Sequence, residues 1–184
     1  MPRNQFSLAK FWRVLVSRIE SKRNWKTVYV RDKKWTSLIT GIFKDIGGDL
    51  GFTSYKEYFR LDMGYFTESS DHKYDWRLDV AIEHENSDRT WMDEVCKLAH
   101  IAVPWKIIML YNNFNRSEDR LTQQLEKAVE IIRTRGCQKG KWLFIVGPTT
   151  GSRTHPFRTF TYNSEEKNAR LLRVKFEPEL NPKP

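Results

Sequence analysis

Three acidic residues, Asp62, Glu83 and Glu85, have the residue types and spacing of a site for a divalent cation. Glu83 and Glu85 lie in the run 78–86, in which apolar residues alternate with acidic or small ones. Successive side chains of a β-strand point to opposite sides of the sheet, so we expect both glutamates on one wet, acidic face. Two neighbouring like charges repel, and a bound cation would offset that repulsion.

Asp62 lies in a second alternating run, Tyr58 to Phe66, which predicts another strand with Asp62 pointing away from its apolar face. The apolar face of this run is formed by Phe59, Leu61, Met63 and Tyr65. The polar stretch 67–75 is typical of an antiparallel hairpin connection. A hairpin centred near His72 and Lys73 would bring Asp62 opposite Glu83. Mg²⁺ prefers oxygen ligands and keeps several waters, so converging carboxylates predict Mg²⁺ as the cofactor, with Mn²⁺ as an alternative.

The rest of the chain predicts an α/β fold, in which a mixed central β-sheet is flanked by helices. The predicted helices are Phe6 to Ile19, Trp35 to Asp45 with Gly47 and Gly48 as its stop, Thr90 to about Ala102 with a Thr90–Asp93 capping box, and Ser117 to Arg135. The additional predicted strands are Lys26 to Arg31, Trp105 to Tyr111, Lys141 to Gly147, Phe157 to Tyr162 and Leu171 to Phe176.

Over roughly Tyr55 to Tyr111, this order of elements resembles the core of the restriction-endonuclease-like, or PD-(D/E)XK, nucleases. The usual motif of that superfamily is Asp, a variable gap, then Asp or Glu, any residue, and Lys. The resemblance implies that Asp62 and Glu83 hold the metal, and that Glu85 stands where most members carry lysine. It also implies a restriction-endonuclease-like core and a magnesium-dependent endonuclease that hydrolyses phosphodiester bonds in DNA.

The resemblance leaves open which group supplies the missing positive charge. Lys97, in the helix that follows the glutamates, and Lys106, at the start of the next strand, are the two candidates. Glu85 would then orient or deprotonate the attacking water, or hold a second metal. Glu57 could complete the metal ligands, or it could be a solvated charge at a strand edge.

Charge supports an anionic partner, and DNA is the partner we expect. The chain has 32 Lys and Arg residues against 23 Asp and Glu residues, a net charge of +9. Such a surface binds a phosphate backbone with salt-dependent affinity. The loop 147–156 is a candidate for substrate contact. The cations expected to contact DNA are Arg60, Lys73, Arg77, Arg89, Arg116, Arg153 and Arg158.

Several classes of protein are disfavoured by composition. Cys96 and Cys137 are far apart and lack a CxxC pattern, and the four histidines lack zinc-hydrolase spacing, so neither zinc nor a disulfide framework is indicated. No membrane-length apolar run or signal-peptide core is present, which predicts a cytoplasmic protein without a membrane partner. We expect one domain over residues 1–184, with a helical part over 1–50, a core over 55–150 and a loose tail over 178–184.

Two other functions remain open at this point. A non-catalytic nucleic-acid-binding or regulatory protein on a degenerate nuclease fold would also lack the lysine. A glycosidase using Glu83 and a partner carboxylate has little support in a basic chain of this length. Cutting both strands of a duplex usually needs two active sites, so a symmetric homodimer is compatible with the nuclease hypothesis, although no sequence feature indicates one.

Overall fold

The computed structural model describes residues 6–22, 32–68, 76–86, 90–111, 118–136, 138–147 and 157–174. These ranges form a mixed α/β fold, a seven-stranded sheet with four helices, which confirms the predicted fold class. The helices are α1 Leu8–Ser21, α2 Asp32–Asp49, α3 Trp91–Ala99 and α4 Glu118–Arg135. The strands are β1 Thr53–Lys56, β2 Met63–Glu68, β3 Trp76–Glu85, β4 Trp105–Tyr111, β5 Lys141–Gly147, β6 Arg158–Asn163 and β7 Leu172–Val174.

The strands lie in the sheet in the same order as in the chain. Strands β1 to β3 are antiparallel, β3 to β5 are parallel, and β5 to β7 are antiparallel. Parallel neighbours need a crossover connection, and α3 and α4 supply the two that link β3 to β4 and β4 to β5. No helix in the described ranges has both the length and the apolar character needed to cross a membrane.

Helices cover both faces of the sheet, because alternate strand residues belong to two different hydrophobic cores. Val80 and Ile82 pack with α1 and α2, whereas Ala81 and Ile108 pack with α3 and α4. The face of β3 that carries Glu83 is therefore buried beneath α3, and the predicted wet, acidic face is wrong there. A strand with a parallel neighbour is usually buried on both sides, which is the physical reason.

The first predicted site strand is shorter than expected. Tyr58–Arg60 forms a 3₁₀ turn, and β2 begins only at Met63. Left-handed backbone at Glu57, Phe59 and Arg60 (φ 57°, 49° and 63°) breaks the regular alternation of side chains. As a result Leu61 packs in the core beneath α3 and α4, whereas Met63 packs in the core beneath α1 and α2.

Helix α2 is longer than predicted, because Gly47 and Gly48 lie inside it rather than ending it. A Cβ added to Gly47 would stand 1.9 Å from Ser54 Oγ, so glycine here permits close packing of α2 on the sheet. The chain turns away at Gly51, which has a φ of 79°.

The other predicted elements are confirmed to within a few residues, with two exceptions. Thr90 precedes α3 but makes no side-chain capping hydrogen bond, so the predicted capping box is wrong, and the helix ends at Ala99. The predicted strand Lys26 to Arg31 lies outside the described residues.

Candidate functional site

Asp62 and Glu83 come together through the pairing of β2 with β3. Met63 pairs with Ile82, so Asp62, one residue before it, comes opposite Glu83, as the hairpin prediction required. The backbone N–H of His84 donates to Asp62 Oδ2 at 2.8 Å, which fixes the aspartate against β3. Asp62 is half-buried, whereas Glu83 is 1% exposed.

Lys97 reaches this pair from α3. Its Nζ lies 2.7 Å from Glu83 Oε1 and also contacts Glu94 Oε2, one turn earlier on the same helix. The same ammonium donates to the backbone carbonyl of Arg60 at 3.0 Å. Neither carboxylate oxygen has a hydrogen bond of good geometry, so the contacts to Glu83 and Glu94 are ion pairs. Of the two lysines indicated by the sequence, Lys97 lies at the acidic pair.

The electrostatics of this cluster favour the binding of positive charge. Glu83 and Glu94 contact the Lys97 ammonium and Asp62 lies opposite Glu83, which gives the four groups a formal charge of −2 when all are ionised. Burial raises the pKa of Glu83 to about 8; Lys97 opposes this rise, while Asp62 and Glu94 add to it. Burial lowers the pKa of Lys97, but its contacts with Glu83 and Glu94 outweigh burial and leave it raised. With its pKa at about 8, Glu83 retains a proton at neutral pH.

Glu85 is not part of a three-carboxylate cluster. It is partly exposed at the end of β3. Within the part of the chain that the structure describes, no group of three or more His, Cys, Asp or Glu side chains is arranged to hold a metal ion. The expected convergence of Asp62, Glu83 and Glu85 is therefore absent there, and the ammonium of Lys97 contacts Glu83 instead.

The other auxiliary candidates lie elsewhere. Lys106 is fully buried, and its Nζ donates to the carbonyl of Gln138 at 2.8 Å and lies 5.1 Å from the centre of the Trp142 ring. Its ammonium is bound by the chain before β5. Glu57 is exposed and pairs with Lys56 at 3.0 Å.

Three of the seven cations expected to contact DNA are described. Arg60 is exposed on the turn whose carbonyl binds Lys97. Arg77 is exposed but forms an ion pair with the buried Asp79, with Nη2 2.7 Å from Oδ1. Arg158 is half-buried in β6. The other four, Lys73, Arg89, Arg116 and Arg153, lie outside the described residues, as does the loop after Gly147.

Glu94 also belongs to this cluster through its contact with Lys97. Their three-residue helical spacing was the available signal, but it did not reveal that this side of α3 packs over β3.

A second polar group lies on the opposite face of β3. Tyr111 accepts a hydrogen bond from Trp35 Nε1, and its hydroxyl lies 2.6 Å from His84 Nε2. Burial lowers the pKa of His84 to about 3, so the ring is neutral. Its buried Nδ1 has no hydrogen-bond partner. His84 is a buried core residue.

The chain matches no protein-family model, and no curated protein is significantly similar to it. The case for any activity therefore depends on the chemistry of the residues themselves.

Proposed function

We propose that the protein is a metal-dependent nuclease that hydrolyses phosphodiester bonds in DNA, with Asp62, Glu83 and Lys97 at its active site. The observation that carries this proposal is the contact between Lys97 Nζ and Glu83 Oε1 at 2.7 Å. The nuclease motif that the sequence resembles needs two acids and a lysine. Position 85 lacks the lysine, and Lys97 supplies an ammonium at the acidic pair from the following helix.

The order of elements also supports the proposal. The antiparallel pair β2 and β3 brings the two acids together, α3 follows, and β4 lies parallel to β3. This is the order on which the resemblance was based, and it spans the segment 55–111.

The residues fit a hard divalent cation by their chemistry. Asp62 Oδ2 accepts the His84 N–H and Glu83 Oε1 faces Lys97, which leaves the second oxygen of each carboxylate for a metal. With Glu83 ionised, the formal charge of −2 on the cluster equals the charge that Mg²⁺ would neutralise, and oxygen donors suit this ion. A bound Mg²⁺ would lower the pKa of a coordinated water and neutralise charge on the phosphate.

Lys97 would stabilise the negative charge that develops on the phosphate during hydrolysis. An ammonium in a partly buried site is effective because the surrounding dielectric is low. Its position is defined by Glu94, the Arg60 carbonyl and Glu83, so little side-chain ordering is needed during the reaction. Glu85, at the end of β3, would orient or deprotonate the water.

Plasmid cleavage tests this function. The wild-type protein should relax supercoiled plasmid with Mg²⁺ or Mn²⁺ and not with EDTA. Glu83→Gln should abolish cutting, and Lys97→Met should lower its rate at least about 100-fold, since a preorganised charge contributes several kcal/mol to a transition state.

Lys106→Met is the matched control for the loss of a lysine. It should destabilise the fold by about 1–3 kcal/mol, because buried carbonyls lose their donor, and it should keep the specific activity of the folded protein. Circular dichroism verifies folding of each variant before the assay. Equal cutting by wild type and Glu83→Gln would refute the proposed site.

A second candidate function, a non-catalytic DNA-binding or regulatory protein, is favoured by one observation. The ammonium of Lys97 already neutralises part of Glu83, so the pair can persist as a structural ion pair without a metal. Salt-sensitive DNA binding without metal-dependent cutting would support this second function.

A further inference from the structure

Exposed aromatic side chains cluster at the β1 end of the sheet, next to the candidate active site. We refer to Tyr55, Tyr58, Phe59, Phe66 and Trp76 as the aromatic surface. Tyr55 stacks on Trp76, with ring centres 5.0 Å apart and 19° between the planes. Tyr58 contacts Phe59 edge-to-face at 4.6 Å and Phe66 at 4.9 Å. Phe66 is buried, whereas Phe59 is 77% and Trp76 43% exposed, so apolar rings face solvent beside a buried anchor.

The backbone that presents Phe59 is strained. Glu57, Phe59 and Arg60 all have positive φ, although none is glycine, and such conformations cost free energy and concentrate at functional sites. The turn is tied to the candidate active site, because the Arg60 carbonyl accepts a hydrogen bond from Lys97. This backbone places Leu61 in the core, but Phe59 itself is left facing solvent.

Positive charge accompanies these rings. Arg60 is exposed on the same turn as Phe59. The whole chain carries a net charge of +9. Aromatic faces with neighbouring cations bind single-stranded nucleic acid, since bases stack on the rings and phosphates lie near the cations. Within an uninterrupted duplex, every base face is already covered by its neighbours.

We infer that the aromatic surface stacks unpaired nucleobases. The preferred ligand is then DNA with a single-stranded segment, and not uninterrupted duplex DNA. The inference about the nuclease substrate rests on the proposed function. The hydrogen bond between Lys97 and the Arg60 carbonyl would then put the bound strand beside Glu83. As a statement about binding, it depends on the aromatic surface alone.

Fluorescence anisotropy in EDTA tests binding without cleavage. A labelled single-stranded oligonucleotide and the matching duplex are titrated with wild type, Phe59→Ala and Phe59→Leu. Phe59→Ala should weaken single-strand binding at least about fivefold, the lower end of the range for one stacked base, and should change duplex binding by less than about twofold. Phe59→Leu keeps apolar area but loses the ring face, so it should behave like the alanine variant.

Leu172→Ala is the matched control, because Leu172 is another large exposed apolar residue, on β7 at the far edge of the sheet. It should leave both affinities unchanged. A single strand carrying 5-iodouracil, irradiated in the complex, should cross-link to the peptide containing residues 55–60 or to Trp76, a result that general electrostatic attraction would not give.

Three results would overturn this inference. They are equal affinity of the wild type for single strand and duplex, unchanged single-strand binding by Phe59→Ala, and a dimer that Phe59→Ala dissociates in sedimentation, which would mean that a second copy covers these rings. The outcome is separate from that of the plasmid assay. Phe59-dependent binding without cutting would refute only the nuclease, and cutting without Phe59-dependent binding would refute only the aromatic surface.

Discussion

The buried carboxyl of Glu83 should make the stability of the protein depend on pH in a defined direction. Burial raises its pKa from 4.5 to about 8. Between these pH values the folded chain retains a proton on Glu83 that the unfolded chain releases. The free energy of unfolding must therefore fall as pH rises through this window.

The expected magnitude follows from the same pKa values. Each pH unit in the window changes the free energy of unfolding by about 1.4 kcal/mol, so the full interval from 4.5 to about 8 corresponds to about 5 kcal/mol. His84 acts in the opposite direction, because burial lowers its pKa from 6.5 to about 3 and the unfolded chain binds the extra proton below pH 6.5. Between pH 6.5 and 8 Glu83 acts without His84, and we expect a loss of about 2 kcal/mol.

Urea unfolding followed by circular dichroism, in EDTA at several pH values, measures this change. Glu83→Gln keeps the size of the side chain and removes the titration, so the difference between wild type and variant isolates Glu83. Lys97→Met should extend the upper end of the window to higher pH, because the ammonium favours the ionised carboxylate of the folded state. Parallel profiles for wild type and Glu83→Gln would refute the buried, proton-binding state of Glu83.

Magnesium adds a second measurement to the same experiment. Under the proposed function, Mg²⁺ at pH 8 should raise the stability of the wild type, because a ligand that binds only the folded state stabilises it by mass action. Glu83→Gln should show no such increase.

Two further predictions concern packing and the hydrogen bonds on the other face of the sheet. Gly47→Ala should lower the urea midpoint by the equivalent of about 1–3 kcal/mol, because its Cβ would meet Ser54 Oγ at 1.9 Å. Gly48, its neighbour, has open space around it, so Gly48→Ala should raise the free energy of unfolding by about 1 kcal/mol. Equal changes in stability for the two variants would contradict the packing of α2. Tyr111→Phe removes the hydroxyl partner of His84 Nε2 and should cost about 1–3 kcal/mol in the same assay, whereas an unchanged midpoint would show that this hydrogen bond contributes no stability.

The sequence by itself determined the elements with a strong local pattern. Continuous apolar runs identified β4 and β5, and helical periodicity identified α1 and α4, because these patterns depend on residues near one another in the chain. The register of the β2–β3 hairpin also followed from sequence. The polar connection between two alternating runs is roughly symmetric about His72 and Lys73, which brings Asp62 opposite Glu83.

Features set by contacts between distant elements were decided only by the tertiary structure. The alternation of polar and apolar residues in β3 predicted that Glu83 lies on a solvent-exposed face. Helix α3 covers that face, because a strand with a parallel neighbour carries crossover helices on its face. That same covering helix brings Lys97 Nζ to 2.7 Å from Glu83 Oε1, a contact that requires the helix to fold back over the strand. The sequence similarly predicted that Gly47 ends the helix. The close approach of α2 to Ser54 explains why a glycine lies within the helix instead.

The turn at Glu57 to Arg60 is also a feature that the local sequence pattern did not predict. Alternation in the sequence predicted a continuous strand, because hydrophobic pattern reports which side chains are apolar and not which backbone angles they adopt. The left-handed residues depart from that pattern, and the carbonyl of Arg60 meets Lys97 from another element. Local sequence thus determined the strands and the acidic pair, while packing of α3 over the sheet decided which cation that pair meets.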